Sequence, residues 1–493
     1  MKRLFLILIV IIFPVQCFAI TDEDEHDKLY EPVKLYSGIK LDIVKCLSIA
    51  FQNSPKIRRA MYELNVAKSE TGIAKAQYFP IFNFGTGFNY ERNSNSVYYD
   101  KKYRDLPSVR LQADKLIWNF GKTTSYIKMQ KFYEVASEYE FMDSLCETLF
   151  DIKQKYYNLL KAKAMLGIAE NNVKLTEKYV KNAHGKLKAD KLTAQINFAD
   201  AKIVYIEAKN NYDNAKTDLA NSMYIDYEPD YDIEETKTFP FLIDEIYNIT
   251  KIENNSFEPY KFPFEKEKAV DIAYETSPDL QVLIAIKNAM NESLKYIKKS
   301  YLPDINANVG YQFNNTNFAS NNSLQTGVSL DAAINPMELK HSIAKANNEL
   351  KLAENEIKLF KKDLYFEVKR AFNNVEKAQN QIPESKKEIK IALENLFSVE
   401  EAYNSNKLDY TSLQDAREDY ILALNSYVKN LYDYNLALIQ VEMAMHYHLV
   451  DIHHESEHAI KYHSKELEEH LNKVLECDRR DEVKPAVNKR RKK

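Results

Sequence analysis

The chain has 493 residues, 45% of them hydrophobic and 28% charged, with a formal net charge of −4. A charge this mild leaves no electrostatic footprint for nucleic acid. Nine glycines in the whole length leave no Gly-rich phosphate loop, and neither a Walker A pattern nor a dinucleotide fingerprint occurs, so energy for any work must come from another protein.

The N-terminus opens on Lys2 and Arg3, continues through an apolar core from Leu4 to Val15, and closes on Cys17-Phe18-Ala19, the pattern of a secretory signal peptide over 1–19. Gln16 stands where a lipoprotein needs a small residue, which favours cleavage after Ala19 over lipidation of Cys17. Losing Lys2 and Arg3 moves the net charge to −6. Cys46, Cys146 and Cys477 remain, an odd and scattered set that makes neither a disulfide framework nor a metal spacing. Beyond the signal, no run approaches the roughly 18 apolar residues of a membrane helix. A membrane crossing would have to be made by strands.

The mature chain repeats itself. An offset of 223 lays Asn53-Ser54-Pro55 on Thr276-Ser277-Pro278, Tyr78-Phe79-Pro80 on Tyr301-Leu302-Pro303, and Gly87 on Gly310. A second offset, of 215, lays Asp200-Ala201-Lys202 on Asp415-Ala416-Arg417 and Tyr205 on Tyr420. The first repeat therefore covers 20–225 and the second 267–447, and each reads as helix, two strands, long helix, turn, long helix.

In the first repeat Phe82, Phe84, Phe88 and Tyr90 alternate with Asn83, Gly85, Gly87 and Asn89, which predicts a strand over about 81–93. The return strand, about 107–118, puts Leu111, Ala113 and Ile117 on one face and Arg110, Gln112 and Asp114 on the other. Helical spacing follows over about 121–184 and, after a turn at Gly185, about 191–223. The segment 226–266, rich in Tyr, Pro and acid, reads as a linker packed outside the rods. The second repeat predicts strands at about 304–315 and 323–334, with Asp331 matching Asp114, and long helices at about 337–403 and 409–446. Ile343, Ala346, Leu350, Ala353, Ile357, Phe360 and Leu364 step by threes and fours, as do Tyr126, Met129, Tyr133 and Ala136, so these are coiled-coil seams. A helix of about 65 residues is a rod of roughly 100 Å, too long for an ordinary compact core. The tail, 448–493, is charged and His-rich, with no Cys or Glu pattern that completes a metal site.

Two hairpins supply four strands, whereas a membrane barrel needs eight or more and cannot leave an edge in lipid. Several copies must share it, with Asp114 and Asp331 facing a wet lumen. Tyr78, Phe79, Trp118, Phe120 and Tyr301, where strands meet helices, fit an interfacial aromatic girdle. No Ser/His/Asp, HExxH or paired-carboxylate arrangement suggests an enzyme or a cofactor.

The duplication, the Tyr-Phe-Pro and Tyr-Leu-Pro strand entries, the Trp118-Asn119-Phe120-Gly121 exit and the segment from Tyr403 to Arg417 resemble the TolC family of outer-membrane efflux proteins over about 40–450. The resemblance implies a mainly helical fold with a small β part: a homotrimer with a shared 12-stranded outer-membrane β-barrel continuous with a 12-helix periplasmic α-barrel. It also implies a passive exit duct for drug efflux or type I secretion, docked to a periplasmic adaptor (membrane fusion protein) and an ABC or RND inner-membrane pump. Tyr403 would match the tip tyrosine that holds the closed state, and Asp415 an aspartate at the entrance. Asn406 stands where that family usually has the turn glycine. Leu408, with Lys407 beside it, takes the place of the gate arginine; Asn197 replaces an expected carboxylate near Asp200, and six residues are inserted after Gly185. A periplasmic coiled-coil adaptor or scaffold is the alternative that would also explain the rods.

Overall fold

The computed structural model describes residues 38–92, 103–182, 188–225, 231–233, 262, 264–316, 319–405 and 407–446. The signal peptide, Cys17, Cys477, Gly185, Asn406, most of the 226–266 linker and the 448–493 tail lie outside these residues.

Among the described residues the order is β1 (Ile39–Leu41), α1 (Ile43–Asn53), α2 (Pro55–Ala76), β2 (Ile81–Arg92), β3 (Tyr103–Trp118), α3 (Lys122–Asn182), α4 (Lys188–Ser222) and β4 (Tyr231–Ile233). The second repeat follows as α5 (Lys266–Thr276), α6 (Pro278–Lys299), β5 (Asp304–Thr316), β6 (Ala319–Asp331), α7 (Pro336–Asn404) and α8 (Tyr410–Met445). The fold is mainly helical with a small sheet component, and no helix among the described residues is long and apolar enough to cross a membrane.

Local chemistry explains the starts of several helices. Asp42 caps α1 by accepting from the Lys45 N–H at 2.7 Å, and Ser277 caps α6 by accepting from the Leu280 N–H at 3.3 Å. Pro278 follows in the first turn, where its missing N–H costs nothing. The six-residue insertion of the first repeat is taken up as helix. The offset of 215 matches Tyr410, the first residue of α8, to Gln195, yet α4 already begins at Lys188, about two turns earlier.

The chain divides into two compact units that do not follow the repeats. One contains residues 56–146 and 270–367, and the other the remainder. The physical cause is length, because α3 and α7, at 61 and 69 residues, are too long to belong to one compact unit.

In the first of these units the sheet has the order β2-β3-β5-β6, antiparallel throughout, so the two repeats join at the β3–β5 pair. Among the described residues the outer edges of β2 and β6 have no partner strand. Pro107 is accommodated in β3 because the β3–β5 ladder begins only at Ser108. A bulge between Leu116 and Trp118 then shifts the register, so Trp118 stands opposite Ile305 and Ile117 becomes the extra residue. The simple alternation that put Ile117 on the apolar face fails for that reason. β6 ends at Asp331, short of the expected 334, because Asn335 serves α7, accepting from the Glu338 N–H at 3.3 Å. Two successive left-handed residues, Phe120 (φ 56) and Gly121 (φ 78), turn the chain from β3 into α3.

The seam on α7 keeps its expected side inward: Ala346, Ala353 and Leu364 are buried, and Ile343, Leu350, Ile357 and Phe360 are half-buried. The same stripe continues through Val368, Ala371, Val375, Ala378, Ile382 and Ile389 in the other unit, across Pro383, which the helix carries without a break. Cys46 is buried on α1, and burial, then the neighbouring Asp42, pushes its thiol up to about 12, so it is inert packing.

Candidate functional site: a two-faced sheet and a helix-end cluster

The strand register sorts the hairpin side chains into two layers. One rung lines up Phe84, Leu111, Tyr311 and Leu324, the next Phe82, Ala113, Val309 and Thr326, and a third Lys115, Ala307 and Val328. Most of this face is apolar, yet Phe82 is 78% and Val328 75% exposed. The opposite face reads Asn83, Gln112, Gly310 and Gln325 along one rung, and Gly85, Arg110, Gln312 and Ser323 along the next.

Both lumen candidates lie on the polar face. Asp114 accepts from Asn83 Nδ2 at 3.0 Å and from Gln112 Nε2 at 2.8 Å. Asp331 accepts from Asn306 Nδ2 at 3.1 Å and from Ser329 Oγ at 2.8 Å. Arg110 donates to Gln312 across the β3–β5 junction at 3.4 Å. A Cβ on Gly327 would come within 2.7 Å of Asn308 Oδ1, so a larger residue there would have to displace that side chain. The layer is therefore a hydrogen-bonded carpet of amides and carboxylates.

The aromatic candidates sit at the foot of the sheet. Tyr78, Phe79, Trp118, Phe120 and Tyr301 are all exposed, Trp118 and Phe120 meet edge to face at 6.3 Å, and the Tyr78 hydroxyl bonds Thr124 Oγ1 at 2.9 Å. Behind them two lysines cross between the repeats. Lys122 Nζ reaches Asp304 Oδ1 at 2.7 Å and the Leu302 carbonyl at 2.9 Å, while Lys299 Nζ reaches the Gly121 carbonyl at 3.2 Å and Ser125 Oγ at 3.0 Å.

The residues expected at a gate lie in the other unit, near the ends of the long helices. Tyr403, on the last turn of α7, is buried and packs edge to face on Tyr410 at 5.9 Å. Asn197 is buried on α4 and accepts from Gln414 Nε2 of α8 at 2.7 Å, which ties the two repeats together. Asp200 and Asp415 are exposed, as are Lys407 and Leu408. The structure thus gathers Tyr403 and Asn197 into packed contacts and leaves the two aspartates at the surface.

One residue of this cluster escapes sequence reasoning. Arg417, on α8, is only 6% exposed and lies over the ring of Tyr179 at 5.7 Å, near the end of α3. Tyr179 in turn donates to Glu400 Oε1 of α7 at 3.2 Å. Burial, then the negative Glu400, pushes the Tyr179 hydroxyl up; burial pulls the Arg417 guanidinium down, and Tyr410 and Tyr179 oppose that. The available signal was a cation standing between Tyr410 and Leu424 at seven-residue steps, on a stripe otherwise apolar. Among the described residues neither the sheet face nor this cluster brings together three metal-binding side chains.

The family model described as Outer membrane efflux protein matches residues 46–223. The structural likeness extends past that segment over both repeats. The chain superimposes on the channel protein CusC with a TM-score of 0.70 at 14% identity, covering 85% of this chain and 96% of that one. It matches the Neisseria gonorrhoeae MtrE outer membrane channel, in its open state, with a TM-score of 0.68 at 14% identity over 85% and 94% of the two chains. The Campylobacter jejuni CmeC outer membrane channel gives 0.67 at 14% identity over 86% and 89%. No curated protein matches the chain. At such identities the likeness establishes the efflux-protein fold, and the resemblance to the TolC-type channels holds at that level.

Proposed function

We propose that this chain is the outer-membrane channel of an efflux or type I secretion system, a passive exit duct that works as a homotrimer. One observation carries the reading: among the described residues, a four-stranded sheet with one exposed apolar face, one polar face and two open edges. Open edges cannot be left in lipid, because each unpaired backbone group there costs several kcal/mol. Three copies, edge to edge, close twelve strands into a barrel wide enough to keep a lumen. The apolar rungs then meet lipid, Asp114 and Asp331 line the water-filled side, and Tyr78, Phe79, Trp118, Phe120 and Tyr301 form the belt at the membrane interface.

The long helices continue the duct on the periplasmic side, and their ends make its entrance. Tyr403, Asn197, Asp200 and Asp415 are the entrance residues, with Gly185 and Asn406 added from the sequence alone. Three copies of Asp415 set an anionic ring that favours cations. A periplasmic adaptor (membrane fusion protein) and an ABC or RND inner-membrane pump supply the cargo and the energy, and outer-membrane lipid is the remaining partner. The proposal assigns the protein no enzymatic step and no cofactor.

Purified protein, reconstituted into a planar bilayer, should open pores, and its native mass in mild detergent should be that of three chains. Extraction of the protein from membranes by an alkaline, high-salt wash, with no pores in the bilayer, would favour the adaptor or scaffold reading instead.

A further inference from the structure

Four rungs of the sheet's apolar face, from Phe84, Leu111, Tyr311 and Leu324 down to Trp118, Ile305 and Leu330, carry one charged side chain, Lys115. It is exposed and makes no hydrogen bond or ion pair among the described residues. The two lysines behind the foot of the sheet are committed to protein, Lys122 to Asp304 and the Leu302 carbonyl, Lys299 to the Gly121 carbonyl and Ser125. Asp114, next to Lys115 in the strand, lies on the opposite, polar face. A lysine facing hydrocarbon is costly at mid-bilayer and nearly free at the interface, where its stem stays among acyl chains and its ammonium reaches the headgroups. Lys115 stands at such a level, one rung or about 7 Å along the strand from Trp118 at the aromatic foot. Two further features shape the place. The bulge after Leu116 brings Trp118, not Ile117, onto the rung below Lys115, which sets an indole N–H donor where alternation would have left a hydrocarbon. The wall on either side of Lys115 is low: its neighbour on β5 is Ala307, and the β2 ladder starts only at Asp114, opposite Ile81. A ligand here meets a cation and an indole donor at one end and bare apolar rungs at the other.

We propose that Lys115 and Trp118 hold the phosphate of an anionic glycerophospholipid in the periplasmic leaflet, with an acyl chain along Ala113, Val309 and Leu111. The unbalanced ammonium favours a headgroup of net negative charge over a zwitterionic one, whose own ammonium it would repel. The site rests on the duct reading, since it exists only if the sheet stands in a membrane. Trp118 is the only tryptophan of the chain, so its fluorescence reports the lipid beside it. The full chain is reconstituted in phosphatidylcholine vesicles that carry a small fraction of phosphatidylglycerol or phosphatidylethanolamine with brominated acyl chains, which quench tryptophan on contact. Phosphatidylglycerol should bind about fivefold more tightly than phosphatidylethanolamine, the weight of one lysine at a membrane surface. Lys115→Gln and Lys115→Met should abolish that preference while both lipids still quench, Lys115→Arg should retain it, and Lys209→Gln, on α4, should leave it unchanged. The wild-type comparison needs no variant, and the Met variant, suited to an apolar wall, serves alone if the Gln variant does not fold. Equal quenching by the two lipids in the wild type, or an undiminished preference without Lys115, overturns the lipid site and leaves the duct reading standing. Relief of the quenching by soluble glycerol 3-phosphate would make this a site for free anions and overturn the lipid assignment. No quenching by either lipid would put Trp118 outside the membrane, and the duct reading would fall with the site.

Discussion

Five of the 35 side chains of α4 are buried, against 19 of the 36 of α8, although the two helices occupy the same place in their repeats. α8 is held on two sides. Lys153 and Lys161 of α3 pair with Glu442 and Asp433 at 2.6 and 2.7 Å, and Asn374 of α7 donates to Gln440 at 3.3 Å. α4 keeps Leu192, Ile196, Ile203 and Ile206 exposed at helical spacing. Duplication copied the pattern of the sequence and left the two copies different surroundings. Under the trimer reading the α4 stripe is what a neighbouring copy covers.

The sharpest way to break this comparison uses two lysines of α3 only two residues apart. Glu442 is 1% exposed, so Lys153→Ala leaves a buried carboxylate without its cation and should cost about 3–5 kcal/mol. Lys155 faces Asp218 of α4 at 3.8 Å, with the lysine half-buried and the aspartate exposed, and Lys155→Ala should cost no more than about 1 kcal/mol. Denaturant unfolding in detergent measures both, and equal losses would mean that α8 is no better anchored than α4. A second contrast sharpens the same point. Leu424→Ala on α8, at a fully buried site, should lose about 2–5 kcal/mol in any state of assembly. Ile203→Ala on α4 should stay within about 0.5 kcal/mol in a dissociated monomer. A core-sized loss for Ile203→Ala in the native assembly alone would place a partner on that stripe; a core-sized loss in the monomer would show that α4 is buried after all.

The sheet and the rods were legible because both obey a period. Two-residue alternation located both hairpins, and the three-four spacing from Ile343 to Leu364 identified the buried side of α7. Breaks in a period were not legible. The bulge at Leu116/Trp118 inserts one residue and exchanges Ile117 for Trp118 on the apolar face, and nothing in a pattern of alternation announces it. The helix-end cluster was half legible. Tyr403 and Asn197 do lie in packed contacts there, but no arginine stands beside Leu408 along the chain. The buried cation, Arg417, comes two turns into the following helix. Its partners Tyr179 and Glu400 are more than 200 residues from each other, and sequence spacing carries no information about such a meeting.

The smallest effect concerns how α8 begins. Asp409 caps it: the Ser412 hydroxyl donates at 2.6 Å and the Ser412 N–H at 3.0 Å, and these two bonds hold the Asp409 carboxyl below the usual carboxylate range. The offset of 215 matches Asp409 to Ala194, which is buried inside α4 and caps nothing. Since the folded value is depressed, the unfolded chain takes up the proton first as pH falls. Asp409 therefore contributes stability fully above its unfolded value of about pH 4 and loses that contribution as pH drops through the lower folded value. Asp409→Asn keeps a good cap without the titration. Thermal unfolding of the two proteins should differ by a constant amount at neutral pH and draw together as pH falls below the usual carboxylate range. A difference that persisted unchanged to the lowest pH would mean that Ser412 does not respond to the charge on Asp409, and the start of α8 would then owe its order to something other than that charge.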